Sequence, residues 1–95
     1  MASGKMYQCE VKRPFKMKNG TKQLRWVVRD VAGLPSGSHP DIRCMHCHGA
    51  VRVHRQQAED GPADHVEHLS HQDSVGCQGG HFFAGTHRLS LNPVV

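Results

Sequence analysis

The sequence is poor in aromatic residues and has no long hydrophobic run. Hydrophobic residues make up 37% of its 95 positions, and only five of them are Tyr, Trp or Phe. A chain of this size buries a modest fraction of its surface, so small domains often need a metal ion or disulfides as a cross-link. Gly and Pro together number fifteen, which favours turns over long helices. We therefore expect one small domain held together by such a cross-link.

The sequence also lacks the patterns of membrane and secreted proteins. No apolar run approaches the roughly 20 residues that cross a membrane, and residues 1–6 have no apolar stretch of a signal peptide. We predict a cytoplasmic protein with no membrane partner, and no small-molecule substrate is evident. In a reducing cytosol, a Cys-x2-Cys pair is more often a metal site than a disulfide.

Positive charge is concentrated in the first half of the chain. Residues 1–43 hold nine Lys and Arg against three acidic residues, a net charge of +6, whereas residues 44–95 hold three against five, a net charge of −2. All nine histidines lie between His39 and His87. The first half therefore suits an anionic partner, and surplus histidine in the second half is compatible with metal binding.

Residues 7–31 have the pattern of a basic β-hairpin. Two stretches of β-forming or alternating residues flank Asn19-Gly20, the strongest short hairpin signal. A two-residue type I′ turn there pairs positions so that the apolar faces of the two strands coincide. That register also places Arg13 opposite Trp26, within reach of a cation–π contact.

Five cations of this hairpin are the candidate nucleic-acid-binding residues: Lys12, Lys16, Lys18, Lys22 and Arg25. Nonspecific binding to nucleic acid needs little more than a stripe of positive charge. The alternative is a solvated face that keeps the domain soluble. Because the aromatic residues alternate inward in the predicted register, we expect no platform for base stacking on the exposed face.

The second half carries the ligand pattern of a zinc site. Cys44-x2-Cys47 followed by Gly49 is typical of a zinc knuckle, in which two thiolates hold one tetrahedral ion. Cys77 is the third predicted ligand, because the glycines around it allow the tight backbone of a ligand loop. His68 is the preferred fourth ligand.

Three residues are alternatives to His68. His81 and then His65 follow it in preference, and Cys9 is the last, since its parity in the hairpin favours a buried structural cysteine. We predict that residues 64–69 form one or two helical turns capped by Asp64, with His65 and His68 on one face. Residues 82–95 are expected to form a strand or an extended arm whose apolar side chains cover the metal module.

These patterns together predict a small α+β, mostly β, single domain over residues 1–95. It combines the basic hairpin of residues 7–31 with a metal-binding module over residues 44–91, of zinc-knuckle, treble-clef or zinc-ribbon type. The predicted cofactor is Zn²⁺ in a structural role. The predicted function is a non-enzymatic binding module whose partner is nucleic acid or another protein.

The metal module resembles the zinc-finger-like N-terminal segment of bacterial competence proteins of the CoiA-like family. Cys44-x2-Cys47, a short Val-Arg-Val-His strand and His65-Val-Glu-His68 carry the resemblance, with Val66 where that family has an aromatic residue. The similarity covers about a quarter of the chain, and the nuclease-like domain of that family is absent. It implies a bacterial or phage zinc module associated with DNA-processing proteins.

Asp64-His65-Val66, after a Cys-x2-Cys, also looks like the start of an HNH endonuclease motif. The resemblance implies a metal-dependent endonuclease, or a remnant of one, in which His65 activates water. Asn92 or His87 would have to complete the metal site. The second Cys-x2-Cys of that family is reduced here to Cys77 alone.

Overall fold

The computed structural model describes residues 5–95 of the chain. These residues contain two small antiparallel sheets, one short helix and the loops that connect them. In chain order the elements are β1 (Gln8–Lys16), β2 (Lys22–Asp30), β3 (Gly37–Ser38), β4 (Ile42–Arg43), β5 (Val51–His54), β6 (His65–His68) and α1 (His71–Gly76). The first sheet has the order β2-β1-β4 and the second β3-β5-β6. The prediction of a mostly β domain with an N-terminal hairpin is confirmed.

The hairpin forms where the sequence predicts it, but its register differs by one residue. Lys16 pairs with Lys22, and Arg13 pairs with Arg25 rather than with Trp26. A shift of one residue moves every side chain of a strand to the opposite face relative to its partner. The predicted coincidence of the apolar faces is therefore wrong.

The turn explains the difference in register. A type I′ turn requires positive φ at both central residues, but of Asn19 and Gly20 only Gly20 has a positive φ, at 87°. The side-chain oxygen of Asn19 instead accepts hydrogen bonds from the amide and hydroxyl of Thr21, at 3.1 and 2.6 Å. The hairpin thus closes with a three-residue loop that ends on a left-handed glycine.

The core is built from small side chains. Among residues 5–95, no Phe, Tyr, Trp or Leu side chain is buried. The buried apolar set consists of seven aliphatic or methionine residues and all four cysteines: Met6, Val11, Val31, Ile42, Val51, Val53, Val66, Cys9, Cys44, Cys47 and Cys77. Because the hydrophobic effect scales with buried apolar area, a core of valines stabilises the fold less than one with large side chains would. Cross-linking through the buried cysteines would offset this deficit.

Residues 65–68 form a strand, and the predicted helix over residues 64–69 is wrong. β6 pairs with β5 so that His65 lies opposite His54 and His68 lies opposite Val51. Residues three apart in a strand point to opposite faces of the sheet. His65 and His68 therefore diverge instead of sharing one face.

The helix begins later than predicted, and Ser70 rather than Asp64 caps it. The Ser70 hydroxyl accepts a hydrogen bond from the amide of Asp73, and α1 ends at Gly76, directly before Cys77. No helix in the described residues is long and apolar enough to cross a membrane. The expected absence of a signal peptide concerns residues 1–6, most of which lie outside the described part of the chain.

Residues 82–95 pack on the Cys44–Cys47 turn mainly through their backbone. Ser90 N donates to Cys47 O and Val94 N donates to His48 O, both at 2.8 Å. The apolar side chains of this segment do not form the predicted cover. Three of them are more than half exposed to solvent: Phe82, Leu89 and Leu91. The segment is an irregular arm that fixes the turn by hydrogen bonds.

Candidate metal centre

Three cysteines and one histidine from both sheets and the helix meet in one cluster. Cys44 and Cys47 belong to the turn that follows β4, His68 ends β6, and Cys77 follows α1. One potential ligand atom from each lies within 4.8 Å of the others, and the three cysteines are buried. The four residues could therefore hold a metal ion and would tie together elements that are distant in the sequence.

The geometry of the sulfur atoms suits thiolates around one ion. Cys44 Sγ and Cys77 Sγ are 3.6 Å apart, close to the separation of about 3.8 Å that follows from two Zn–S bonds of about 2.3 Å at a tetrahedral angle. No disulfide joins any of the four cysteines. Each clustered sulfur accepts a hydrogen bond from the amide two residues further on, at 3.3–3.4 Å, and the donors are His46, Gly49 and Gly79. Such donors stabilise negative charge on sulfur.

The imidazole of His68 supplies an independent indication of a missing partner. Its Nε2 is buried and has no hydrogen-bond partner among the described residues. A buried polar atom left without a partner costs free energy, on the order of 1–3 kcal/mol, so such atoms are rare in folded proteins. A metal ion bound to the His68 ring would account for it.

Contacts within the cluster shift the pKa values of Cys44 and Cys47 in opposite directions. Hydrogen bonds from Cys47 and then Cys77 hold the pKa of Cys44 well below its usual range. Hydrogen bonds with Cys44 and then Cys77, together with burial, raise the pKa of Cys47. Burial lowers the pKa of His68, but the sulfurs of Cys44 and Cys77 outweigh burial and raise it to about 9. A thiolate at Cys44 thus opposes ionisation of Cys47, and a bound cation would remove this opposition by taking the place of a proton.

The turns that carry the cysteines have one left-handed residue and two tightly packed glycines. The left-handed residue after Cys47 is His48, with φ 65°, and not Gly49. A Cβ on Gly49 would instead overlap the carboxylate of Asp73, and a Cβ on Gly80 would overlap the backbone of Ser74. A positive φ is uncommon outside glycine, but histidine is among the residues enriched in that conformation.

His65 lies on the other face of β6 and outside the cluster. It is 7% exposed, its Nδ1 donates to Ala63 O at 2.8 Å, and its Nε2 is 3.1 Å from a carboxylate oxygen of Glu67. Its ring stacks on His54 with 5.3 Å between centroids. His65 is thus buried and hydrogen bonded rather than facing an open cleft, and the endonuclease interpretation stays a prediction without support from this geometry.

The other two alternative ligands are also separate from the cluster. His81 is exposed and packs edge-on against Phe82, with 4.7 Å between ring centroids. Cys9 is fully buried, and burial, with Cys44 and Glu10 adding to the effect, raises the pKa of its thiol to about 11. A protonated, buried thiol behaves as a small apolar core residue.

The predicted nucleic-acid-binding residues occupy two kinds of position. Four of them are exposed in the hairpin: Lys16, Lys18, Lys22 and Arg25. Lys12 is half-buried, with its Nζ 2.9 Å from Val95 O and 5.2 Å from the centroid of the Trp26 ring. Arg13 is exposed beside them. The predicted register placed Arg13 against Trp26, whereas in the structure it lies opposite Arg25.

Comparison with known proteins adds one result. A family model matches residues 1–95. The chain belongs to that family. The family is uncharacterised, so membership assigns no activity, cofactor or partner. No curated protein and no solved structure matches the chain, and the resemblance to CoiA-like proteins therefore rests on the quoted motifs alone.

Proposed function

We propose that this protein is a non-enzymatic module that binds nucleic acid and is folded around one structural zinc ion. The ion is held by Cys44, Cys47, His68 and Cys77. Three thiolates and one imidazole form a set that zinc prefers, and four protein ligands leave no open position for a water or a substrate. A closed site of this kind stabilises a fold rather than activating a reactant.

The like-charged pairs of the hairpin carry the proposal of a polyanionic partner. Seven cations and no acidic residue occur from Lys12 to Arg29 inclusive. Arg13 stands directly opposite Arg25, and Lys16 stands opposite Lys22. Like charges in opposite positions of a sheet destabilise it, so this arrangement is unfavourable for the isolated fold. Phosphate groups of a nucleic acid would relieve the repulsion.

The first test of the proposal is salt-dependent binding. Fluorescence anisotropy with a labelled oligonucleotide should show affinity that falls linearly with salt on logarithmic axes, because bound cations release counterions from the phosphates. Lys16→Ala combined with Arg25→Ala should reduce the magnitude of the slope by about 2. Lys5→Ala combined with Arg52→Ala removes the same charge from the region of the second sheet and should leave the slope almost unchanged.

Two results would contradict the proposal. If the protein ignores DNA and RNA at low salt, the hairpin serves another partner, and a protein becomes the better hypothesis. If both double variants weaken binding equally, the attraction depends on net charge and not on the hairpin.

A further inference from the structure

We infer that the outer part of the hairpin, residues 12–26, binds duplex DNA by entering its major groove. Residues 12–26 form the basic ribbon. The inference rests on the proposed function, since it specifies the form of nucleic acid and the mode of contact. Three features of the ribbon point to a groove and away from a single strand.

The first feature is that the ribbon is charged on both faces. Alternation along the strands places the Arg13–Arg25 pair on one face and the Lys16–Lys22 pair on the other. Lys18 lies in the turn between them. A protein surface that binds a single strand of nucleic acid needs cations on one face only. A ribbon inside a groove has a phosphate backbone on each side, and charge on both faces then finds a partner.

The second feature is that the ribbon is free to enter a groove. β4 pairs with β1 at Glu10 and Val11, and one more backbone hydrogen bond, from Lys12 N to Asp41 O, reaches only the base of the ribbon. Apolar side chains of the ribbon remain exposed, with Leu24 at 64%. Two strands lie about 4.8 Å apart, and a major groove about 12 Å wide admits such a ribbon with its side chains, whereas a minor groove about 6 Å wide does not.

The third feature is that the aromatic rings of the ribbon already have cations over them. The Arg25 guanidinium lies 5.5 Å from the centroid of Phe15. Lys12 and Arg43 lie 5.2 and 4.1 Å from the centroid of Trp26. Single-strand binding without sequence preference uses aromatic faces on which successive bases stack. These rings are occupied by cation–π contacts, so the ribbon offers electrostatic contact without a stacking platform.

The test compares three labelled probes of one sequence at low salt: duplex DNA, single-stranded DNA and duplex RNA. Duplex DNA should bind at least about ten-fold more tightly than duplex RNA, because the deep and narrow major groove of A-form RNA excludes side chains. Single-stranded DNA should also bind more weakly. Lys16→Ala combined with Lys22→Ala should weaken binding to duplex DNA without lowering the melting temperature, because it removes a like-charged pair. Arg52→Ala, on the exposed side of β5, is the control.

The outcomes separate the inference from the proposed function. Equal affinity for the three probes, or tighter binding of the single strand, overturns the groove inference while nucleic-acid binding stands. Absence of binding to all three probes overturns both. Unchanged binding of the Lys16/Lys22 double variant to duplex DNA also overturns the inference, because it would show that the ribbon does not contact the DNA.

Discussion

Removal of the proposed zinc ion should unfold this protein. Structural zinc in small domains supplies apparent binding energies of about 10–16 kcal/mol, whereas whole domains are stable by about 5–15 kcal/mol. The described residues contribute no buried Phe, Tyr, Trp or Leu side chain to the core. It therefore has little other stabilisation to fall back on. Cys77→Ser, which removes the ligand that links α1 to the cluster, should have the same effect as a chelator.

Circular dichroism and one-dimensional proton NMR before and after chelation measure this effect directly. Loss of strand signal and of dispersed resonances is the expected result, and both should return when zinc is added. Cys9→Ala is the matched control, because Cys9 is equally buried but outside the cluster. It should lower stability by about 1 kcal/mol and leave the response to chelator intact. A spectrum that survives complete metal removal would show that the fold does not depend on the ion.

Replacing His68 by alanine should release the metal, and replacing His65 by alanine should not. The two residues are of one type and lie in one strand, but only His68 belongs to the cluster. Changes to groups that merely support a ligand lower metal affinity by about 10–100-fold, so loss of the ligand itself should exceed about 100-fold. His65→Ala should instead lower stability by about 1–2 kcal/mol through its lost hydrogen bonds.

Cobalt substitution gives a readout specific to the ligand set. A cobalt ion bound by thiolates in a tetrahedral site absorbs strongly through sulfur-to-metal charge transfer. The wild type and His65→Ala should show this absorption at equal cobalt concentration, and His68→Ala should show far less. The opposite pattern would identify His65 as the fourth ligand and refute the cluster described above.

The sequence predicted which cysteines lie together better than it predicted the backbone around His68. Cys-x2-Cys has a narrow structural meaning, because both thiolates must reach one ion. His65-Val-Glu-His68 is too short for periodicity to decide between helix and strand. His68 was nevertheless the preferred fourth ligand. Either a helix or a strand can direct His68 toward the cysteines, so the wrong secondary structure did not change this preference.

The register of the hairpin could not be predicted from apolar matching. Asn19-Gly20 is compatible with a two-residue turn and with a three-residue loop that ends on Gly20. Matching of the apolar faces decides between registers only where one face is buried. In the outer hairpin both faces are exposed, with Phe15 at 37% and Leu24 at 64%. Burial therefore exerted little control there, and the conformation of the turn set the register.

The metal content of the purified protein tests the central claim most directly. Mass spectrometry under native conditions, with elemental analysis of the same sample, should find one zinc ion per chain in the wild type and in Cys9→Ala. Cys44→Ser should contain none. Wild-type protein that is folded, has four reduced thiols and carries no metal would contradict the account.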